Sequence, residues 1–324
     1  MEYTTLGNTG MTVSRICVGC GRFGRNDETK LDDQQAAEFV DRAIELGINF
    51  FDTANIYSGG ESEEILGAAL ADHDPDWPVV ATKVYNQMDP ENPNAQGLSR
   101  KAIEQELDHS LERLDRDVID LYQIHRYDED TPIEETLRTL DDTVRRGQVR
   151  YLGASSMWAY QFADALHSSR HLGLERFVTM QNHYNLAYRE EEREMNRLCA
   201  EEGIGLIPWS PLARGFLARP VEERDATPRG QQLEASDRLR AYRQGGGDEI
   251  NERVQAVAER HDASMAQIAI AWLLHQDVVD APIVGMRTID QLEEAVEAVD
   301  LSLSDDDLAE LSEPYQPKPI SGHS

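Results

Sequence analysis

Eight short apolar runs alternate with charged stretches of helical period along this chain, and this alternation is what most constrains its fold. The runs predict strands at residues 15–19, 48–52, 79–84, 118–125, 149–154, 177–181, 204–209 and 281–285. The helices between them are predicted to begin near Leu31, Glu61, Ser99, Pro132, Met157, Arg189, Asp248 and Thr288. Parallel strands that are buried on both faces read as continuous apolar runs. Eight strand–helix units therefore predict an α/β chain folded as a (β/α)8 TIM barrel.

Cap and turn residues support these boundaries. Ser99 is predicted to cap its helix, and Thr131 to cap the helix in which Pro132 occupies the first turn. Glycines are typical residues at helix ends, because they adopt the left-handed backbone conformation without steric cost. Three of them are predicted to end helices here: Gly47, Gly147 and Gly203.

Both ends of the chain carry additional elements. Residues 4–6 and 11–13 flank the turn signals Gly7-Asn8 and Thr9-Gly10, which predicts an N-terminal β-hairpin ahead of the barrel. Residues 304–311 predict an extra C-terminal helix, and a proline-rich tail follows it.

The domain organisation predicted from this pattern is simple. No linker divides the chain, so residues 1–324 are predicted to form a single barrel domain. The long polar segment 210–247 is the exception to the regular alternation. Two interpretations of this segment stay open, a lid or binding loop and a disordered insertion.

The charge balance excludes several classes of partner. The chain carries 61 acidic against 31 basic residues, a formal net charge of −30, which repels nucleic acid and anionic membranes. The acids recur along predicted helices, which is typical of a solvated acidic shell and suggests adaptation to a high-salt cytoplasm. No apolar run is long enough to span a bilayer, and residues 1–10 lack the features of a signal peptide. A cytoplasmic location is expected.

The cysteines favour a structural role over a chemical one. Cys17 and Cys20 form a C-x-x-C, which occurs in redox pairs and zinc sites. The chain has no second such pair, and its third cysteine is the distant Cys199. An odd, low count fits a reducing compartment. Ordinary buried residues are therefore expected, with no disulfide and no metal site.

Residues 19–24 match G-x-G-x-x-G, the fingerprint of a Rossmann fold, but in the wrong context. The fingerprint needs a helix to open on its glycines, whereas the next helix is predicted near Leu31. Asp52 lies 28 residues beyond Gly24, longer than the spacing of about 20 residues in the fingerprint. A Rossmann-type dehydrogenase is kept as a rival from another fold class.

Four side chains at consecutive predicted strand ends suggest one catalytic device. Asp52, Lys83 and His125 end the second, third and fourth strands, and Tyr57 follows Asp52 in the loop. Each residue type has an ordinary structural role when it occurs alone. Together they suit carbonyl reduction, because an ammonium eases proton donation from a phenol and a carboxylate keeps the ammonium charged at depth. An imidazole could hold the carbonyl oxygen in line.

These residues lie in stretches that resemble the aldo-keto reductase superfamily, and the resemblance extends over nearly the whole chain. The matching motifs are Asn49-Phe50-Phe51-Asp52-Thr53-Ala54 with Tyr57, Ala81-Thr82-Lys83-Val84, and Asp120-Leu121-Tyr122-Gln123-Ile124-His125. The resemblance implies hydride transfer from NADPH or NADH, bound without a Rossmann domain. It also implies a catalytic tetrad of Asp52, Tyr57, Lys83 and His125, with Tyr57 as the general acid/base.

The same resemblance implies a cofactor site. Ser155, Ser156 and Gln181 match residues that hold the nicotinamide amide, and Trp209 matches the aromatic side chain that stacks on the nicotinamide ring. The pyrophosphate-binding turn matches Ser210, Leu212, Arg214 and Gly215. The segment that holds the adenosine end matches Gly285, Arg287, Thr288, Gln291 and Glu294. Arg287 is the expected partner of a 2′-phosphate, since a guanidinium supplies a fixed, charged fork. NADP(H) is thus the expected cofactor, with NAD(H) as the alternative.

The predicted substrate is a small aldehyde, ketone or sugar-like carbonyl compound, or the corresponding alcohol in the reverse direction. Residues predicted to surround it are Phe23, Tyr85, Arg126, Tyr127 and Trp158, which cluster at strand ends. A second function stays open on the same fold, a regulatory cofactor-binding subunit resembling the potassium-channel β-subunits. The protein is expected to be a monomer or a homo-oligomer.

Overall fold

A closed barrel of eight parallel strands forms the centre of the protein, as predicted. The computed structural model describes residues 1–25, 27, 29–226 and 241–320. A hairpin of β1 (Tyr3–Thr5) and β2 (Thr12–Ser14) precedes the barrel. The barrel strands are β3 (Cys17–Gly19), β4 (Phe50–Asp52), β5 (Val79–Val84), β6 (Ile119–Ile124), β7 (Val149–Ser155), β8 (Phe177–Gln181), β9 (Gly205–Leu206) and β10 (Ile283–Val284).

The strands follow one another around the barrel in chain order, and β10 lies beside β3. The backbone amide of Ile283 donates to the carbonyl of Pro208 at 2.9 Å, and Trp209 forms a parallel bridge with Ile283. This contact joins the two ends of the sheet. A closed barrel rules out the Rossmann interpretation of residues 19–24, because that fold is an open, doubly wound sheet.

The helices of the described residues form the outer layer. They are α1 (Asp33–Glu45), α2 (Glu61–Leu70), α3 (Arg100–Leu114), α4 (Ile133–Arg145), α5 (Ala159–Leu172), α6 (Met195–Glu202), α7 (Gly247–His261), α8 (Met265–Leu274), α9 (Ile289–Glu297) and α10 (Asp305–Ser312). The extra C-terminal helix is therefore confirmed as α10. None of these helices is long and apolar enough to cross a membrane.

The hairpin closes the amino end of the barrel. Leu6 and Val13 are buried against side chains from inside the barrel, including Phe50 and Leu121. The Gly7 amide donates to Asp280 Oδ2 at 2.6 Å. Gly7 has a φ of +53°, and a Cβ there would lie 2.5 Å from a backbone carbonyl oxygen. The hairpin thus fits only because this turn has no side chain, and it leaves the carboxyl end of the barrel as the open end.

One of the two predicted helix caps is confirmed and the other is wrong. The Ser99 side chain caps α3, as predicted, by accepting a hydrogen bond from the Ala102 amide at 3.3 Å. Thr131 does not cap α4, because its hydroxyl instead donates to Asp128 Oδ2 at 2.8 Å. Pro132 is itself the N-cap, with a ψ of 129°, and lies outside the first helical turn.

Helix α8 was not predicted. Its sequence, MAQIAIAWLL, has buried apolar residues around most of its circumference because it packs against both α7 and α9. Without a polar face the chain shows no helical period there. The available signal was the capping box, in which Ser264 and Gln267 exchange side-chain and backbone hydrogen bonds.

The remaining sequence predictions have mixed outcomes. The helix expected near Arg189 begins at Met195, because a 3₁₀ turn over Glu190–Arg193 precedes it. Within the long polar segment, 3₁₀ turns occupy Ala213–Gly215 and Val221–Ala226, while residues 227–240 lie outside the described part of the chain.

The cysteines are free and buried. No cluster of metal-ligating side chains occurs among the residues described.

Candidate active site

The carboxyl ends of the barrel strands open into a cavity of about 610 Å³. Three of the four predicted catalytic side chains line it, namely Asp52, Tyr57 and His125. Lys83 lies directly beneath them, fully buried. The carboxyl end of parallel barrel strands is where enzymes of this architecture hold their reacting groups.

A buried ion pair forms the floor of the cavity. Lys83 Nζ donates to Asp52 Oδ1 at 2.6 Å, to the Thr53 carbonyl at 2.7 Å and to the Tyr57 hydroxyl at 3.4 Å. Burial by itself lowers the pKa of Lys83, but the nearby Asp52 carboxylate and Tyr57 phenol outweigh it and leave the pKa raised. The amine therefore stays charged and in reach of the phenol oxygen.

The second oxygen of Asp52 is held by two glutamines. Gln123 Nε2 and Gln181 Nε2 each donate to Asp52 Oδ2 at 2.9 Å. Gln123 was missed in the sequence, although it lies two residues before His125 on the same predicted strand. Because side chains alternate between the faces of a strand, this spacing indicates that both point into the barrel. The carboxylate is thereby fixed in one orientation toward the lysine.

The loop that carries Tyr57 is anchored at its start. The Asn55 amide donates to the Lys83 carbonyl at 3.2 Å, and Asn55 Nδ2 donates to the buried Glu106 Oε2 at 3.0 Å. Tyr57 then begins a 3₁₀ turn that ends at Gly60, whose φ of +103° favours glycine. These contacts hold the phenol over the Lys83 amine, 4.8 Å from ring centroid to Nζ.

His125 is a neutral hydrogen-bond donor beside the phenol. Its pKa lies well below the usual value of histidine, chiefly because it is buried and also because Lys83 and Arg126 are nearby cations. Asn86 Nδ2, which can only donate, lies 3.0 Å from His125 Nδ1. The ring proton is therefore on Nε2. The imidazole meets the Tyr57 ring edge-on, with centroids 5.8 Å apart.

Most residues predicted to hold a cofactor line the same cavity: Ser155, Gln181, Trp209, Ser210, Leu212, Arg214, Gly215, Gly285, Arg287, Gln291 and Glu294. Ser156 does not line it. It is buried behind the cavity wall, where its hydroxyl accepts a hydrogen bond from Trp209 Nε1 at 3.0 Å. Thr288 caps α9 by accepting from the Gln291 amide.

The turn after β9 suits a phosphate-bearing ligand. Ser210 and Arg214 both have positive φ, 56° and 60°, which turns the backbone tightly around the cavity. Arg214 Nε is buried and has no hydrogen-bond partner among the described residues. A Cβ at Gly215 or Gly285 would meet nothing within 4 Å, so a ligand can approach the backbone closely. An unsatisfied buried cationic donor is the group that an anionic dinucleotide would satisfy.

Five arginines line the cavity, and we refer to them as the cavity arginines: Arg22, Arg126, Arg214, Arg219 and Arg287. Arg22 was not predicted. Its pKa is lowered by burial and by the neighbouring Arg287, so these two guanidiniums repel each other. Arg287 also donates to the Thr29 carbonyl at 3.3 Å. A positively charged pocket thus lies inside a protein of net charge −30.

The predicted substrate residues divide into three groups. Arg126 lines the cavity next to His125. Tyr85 and Tyr127 are half-buried on the neighbouring loops, and Trp158 is 38% exposed at the start of α5. Phe23 is 1% exposed and packs in the hydrophobic core, so the structure does not bring it to the cavity.

Comparisons with known proteins identify the family of this chain. The family model described as "Aldo/keto reductase family" matches residues 15–316. An aldo-keto reductase of Fusarium vanettenii is 41% identical, covering 100% of this chain and 94% of the relative. A putative aryl-alcohol dehydrogenase of Schizosaccharomyces pombe is 39% identical over 99% of this chain and 97% of its own. The versiconal hemiacetal acetate reductase of Aspergillus parasiticus is 39% identical, with 99% and 98% covered. This chain belongs to the aldo/keto reductase family.

Proposed function

We propose that this protein is an NAD(P)H-dependent reductase of aldehydes and ketones that also catalyses the reverse oxidation of alcohols. The observation that carries the proposal is the placement of the Tyr57 hydroxyl 3.4 Å from the Lys83 ammonium, beside His125 and at the wall of one cavity. Its location is proposed to be the cytoplasm, and its substrates are small carbonyl compounds or alcohols.

In this proposal the four side chains divide the work on the carbonyl group. A bound reduced nicotinamide cofactor supplies the hydride. Tyr57 gives its proton to the substrate oxygen, and the Lys83 ammonium stabilises the negative charge left on the phenol. Asp52, 2.6 Å away, keeps Lys83 charged at a fully buried position. His125 donates a hydrogen bond from its Nε2–H to the carbonyl oxygen and holds that oxygen in line, while its own proton stays on the ring.

Ser155 and Gln181 are proposed to hold the carboxamide of the cofactor, and Trp209 to stack on its ring. Arg214 and the backbone of the turn that follows Ser210 are proposed to hold the pyrophosphate. The orphaned Arg214 Nε supports this assignment. Arg22 and Arg287 are proposed to share a 2′-phosphate, because a dianion between them would relieve their mutual repulsion.

A regulatory role resembling that of the channel β-subunits is the second candidate on the same fold. Relatives that are called reductases and aryl-alcohol dehydrogenases favour the enzyme. So does the complete set of tetrad side chains, with every Lys83 proton directed at an acceptor. Turnover of free aldehyde with NADPH at tens per second would separate an enzyme from a slow regulatory subunit, since typical enzymes work at about 10 s⁻¹.

Tyr57→Phe removes the proposed proton donor and leaves the ring in place. We expect kcat for aldehyde reduction to fall by about 10²- to 10⁴-fold, the usual contribution of a positioned acid, while NADPH affinity changes little. Loss of nicotinamide absorbance measures turnover, and protein fluorescence measures binding. Tyr3→Phe, which removes a hydroxyl from the hairpin at the opposite end of the barrel, is the matched control. Wild-type turnover in Tyr57→Phe would contradict the assigned role.

The lowered pKa of His125 predicts the acid side of the pH profile. Since the imidazole titrates well below its usual value of about 6.5, it stays neutral as the pH falls from about 8 to about 6. We therefore expect kcat/KM for reduction to show no loss over this interval. His125→Asn should lower kcat/KM by about 10²-fold, the scale of one lost oxyanion donor, without changing how kcat/KM depends on pH at the acid side of the profile. An acid-side loss centred near the usual histidine pKa in the wild type would show that the imidazole protonates.

Arg287→Ala and Arg22→Ala test the cofactor preference. A lost charge-assisted hydrogen bond costs about 1.5–3 kcal/mol, so each change should weaken NADPH about 10- to 100-fold and NADH no more than about threefold. Dissociation constants from calorimetry provide the measurement. Arg170→Ala, on the outer helix α5 and paired with Glu202, controls for the loss of positive charge. Equal losses for both cofactors would refute binding of the 2′-phosphate.

We also propose that the acidic surface is an adaptation to high salt. With 61 acidic and 31 basic residues, self-repulsion destabilises the compact state until counterions screen it. The screening length falls from about 30 Å at 0.01 M salt to about 3 Å at 1 M. The melting temperature should therefore rise from low to molar potassium chloride. Identical melting temperatures at both concentrations would remove the reason for the proposal.

A further inference from the structure

Three stacked aromatic rings run from the cavity wall into the protein, and we call them the ring stack: Trp209, His183 and Tyr188. The His183 imidazole lies between the other two. Its centroid is 4.1 Å from that of Trp209, at an interplanar angle of 9°. On its other face it is 4.1 Å from the Tyr188 ring, at 11°. The imidazole therefore fills the space between two larger rings at van der Waals spacing.

His183 is held in the plane of the stack by a hydrogen bond at its edge. Its Nε2 lies 2.9 Å from the hydroxyl of Tyr242, which is buried at the start of the segment that leads into α7. The Tyr242 ring also meets the imidazole edge-on, with centroids 5.7 Å apart. Because His183 is only 7% exposed, rotation of its ring would require Tyr242 to move as well.

The C-terminal tail holds the two tyrosines that contact the His183 ring, Tyr188 and Tyr242. Lys318 Nζ donates to the Tyr242 carbonyl at 3.0 Å and to the Ala187 carbonyl, next to Tyr188, at 2.6 Å. The backbone amide of Lys318 donates to Glu190 Oε1 at 2.5 Å. Tyr242 and Tyr188 thus cannot separate without breaking contacts to the tail, and the space for the imidazole is preserved.

Trp209 is constrained on one face and at one edge. Its backbone amide donates to the Asn182 carbonyl at 2.9 Å, and its indole Nε1 donates to Ser156 at 3.0 Å. His183 covers one face of the ring. The residue also lines the cavity, so the face turned away from His183 is the one that a ligand can meet.

We propose that His183 is a positioning residue, which sets the plane of Trp209 and so the site of the ring that stacks on it. This inference rests on the proposed function, in which that ring is the nicotinamide. With the imidazole in place, the Trp209 ring is already held in one orientation, so little conformational entropy is lost when the ligand binds. Without it, the indole can tilt back into the vacated space, and the cofactor ring loses its fixed distance from Tyr57.

Three variants and one control test this role. His183→Ala removes the middle ring, His183→Phe keeps a planar ring without the hydrogen bond, and Tyr242→Phe removes only the hydroxyl that holds His183. Tyr184→Phe is the matched control, since it also removes a buried hydroxyl, one bonded to Glu192 at 2.6 Å. Binding of NADP⁺ is followed by quenching of tryptophan fluorescence. Near-ultraviolet circular dichroism of the ligand-free protein reports the packing of Trp209, with Trp209→Phe identifying its band.

We expect His183→Ala to weaken NADP⁺ binding about tenfold and to reduce the Trp209 dichroism band, since the indole loses the ring that stacks on it. His183→Phe and Tyr242→Phe both lose the bond between these two residues but keep a ring beside Trp209, so each should weaken binding no more than about threefold. The control should match the wild type. Binding by His183→Ala within about twofold of the wild type, or equal losses in His183→Ala and His183→Phe, would overturn the proposal.

Failure of the proposed function gives a different result. If neither NADP⁺ nor NAD⁺ quenches the wild-type fluorescence, the cofactor assignment is wrong. The dichroism band still tests the ring stack in that case. Its loss in His183→Ala and retention in His183→Phe would support the positioning role, and an unchanged band in His183→Ala would refute it.

Discussion

A lysine ammonium and an aspartate carboxylate share the centre of the barrel, 0% and 2% exposed, and the site depends on this pair. Removing two such ions from water costs several kcal/mol each unless hydrogen bonds replace the lost hydration. Here the replacement is complete for the lysine, because its three N–H groups face three acceptors: Asp52, the Thr53 carbonyl and Tyr57. Asp52 in turn accepts from two glutamine amides. The Tyr57 phenol is therefore one member of a hydrogen-bond network, and every lysine proton has an acceptor only when all members of the network are in place.

Strand register explains how these groups meet. Asp52 on β4 pairs with Ala81 on β5, and Lys83 on β5 pairs with Gln123 on β6. Because side chains alternate along each strand, the pairing brings Asp52, Lys83 and Gln123 onto the inner face within one layer of the barrel. The hairpin fills the amino end, and the cavity at the other end opens onto this layer. The relative positions of these three side chains are thus set by backbone pairing more than by loops.

The barrel, and the meeting of Asp52, Tyr57, Lys83 and His125 at one end of it, were predictable because they follow from patterns that the sequence carries locally. Apolar runs mark buried parallel strands, and their final polar residues mark the open end. Helix α8 was not predicted because burial on nearly all sides erases the helical period.

Arg22 and Asn86 were missed for a different reason. The residue that each one faces lies more than thirty positions away in the chain, Arg287 for Arg22 and His125 for Asn86. Phe23 was misplaced because a strand-end residue can turn inward to the core, and only tertiary packing decides which way it points. Stacking of His183 on Trp209 likewise depends on the pairing of two strand ends that are distant in the chain.

The cavity arginines have a consequence for how anions reach the site. An approaching phosphate compound experiences repulsion from the molecule as a whole, whose net charge is −30, before it reaches the local attraction of the five guanidiniums. Dissolved ions shorten the reach of the outer field to about 8 Å at 0.15 M and about 3 Å at 1 M, while contacts inside the cavity are screened far less. Concentrated salt therefore removes the long-range repulsion that slows an approaching anion, and it weakens the contacts inside the cavity far less. For an anionic ligand, electrostatic steering would thus run opposite to its usual sense, with faster encounters in concentrated electrolyte than in dilute buffer.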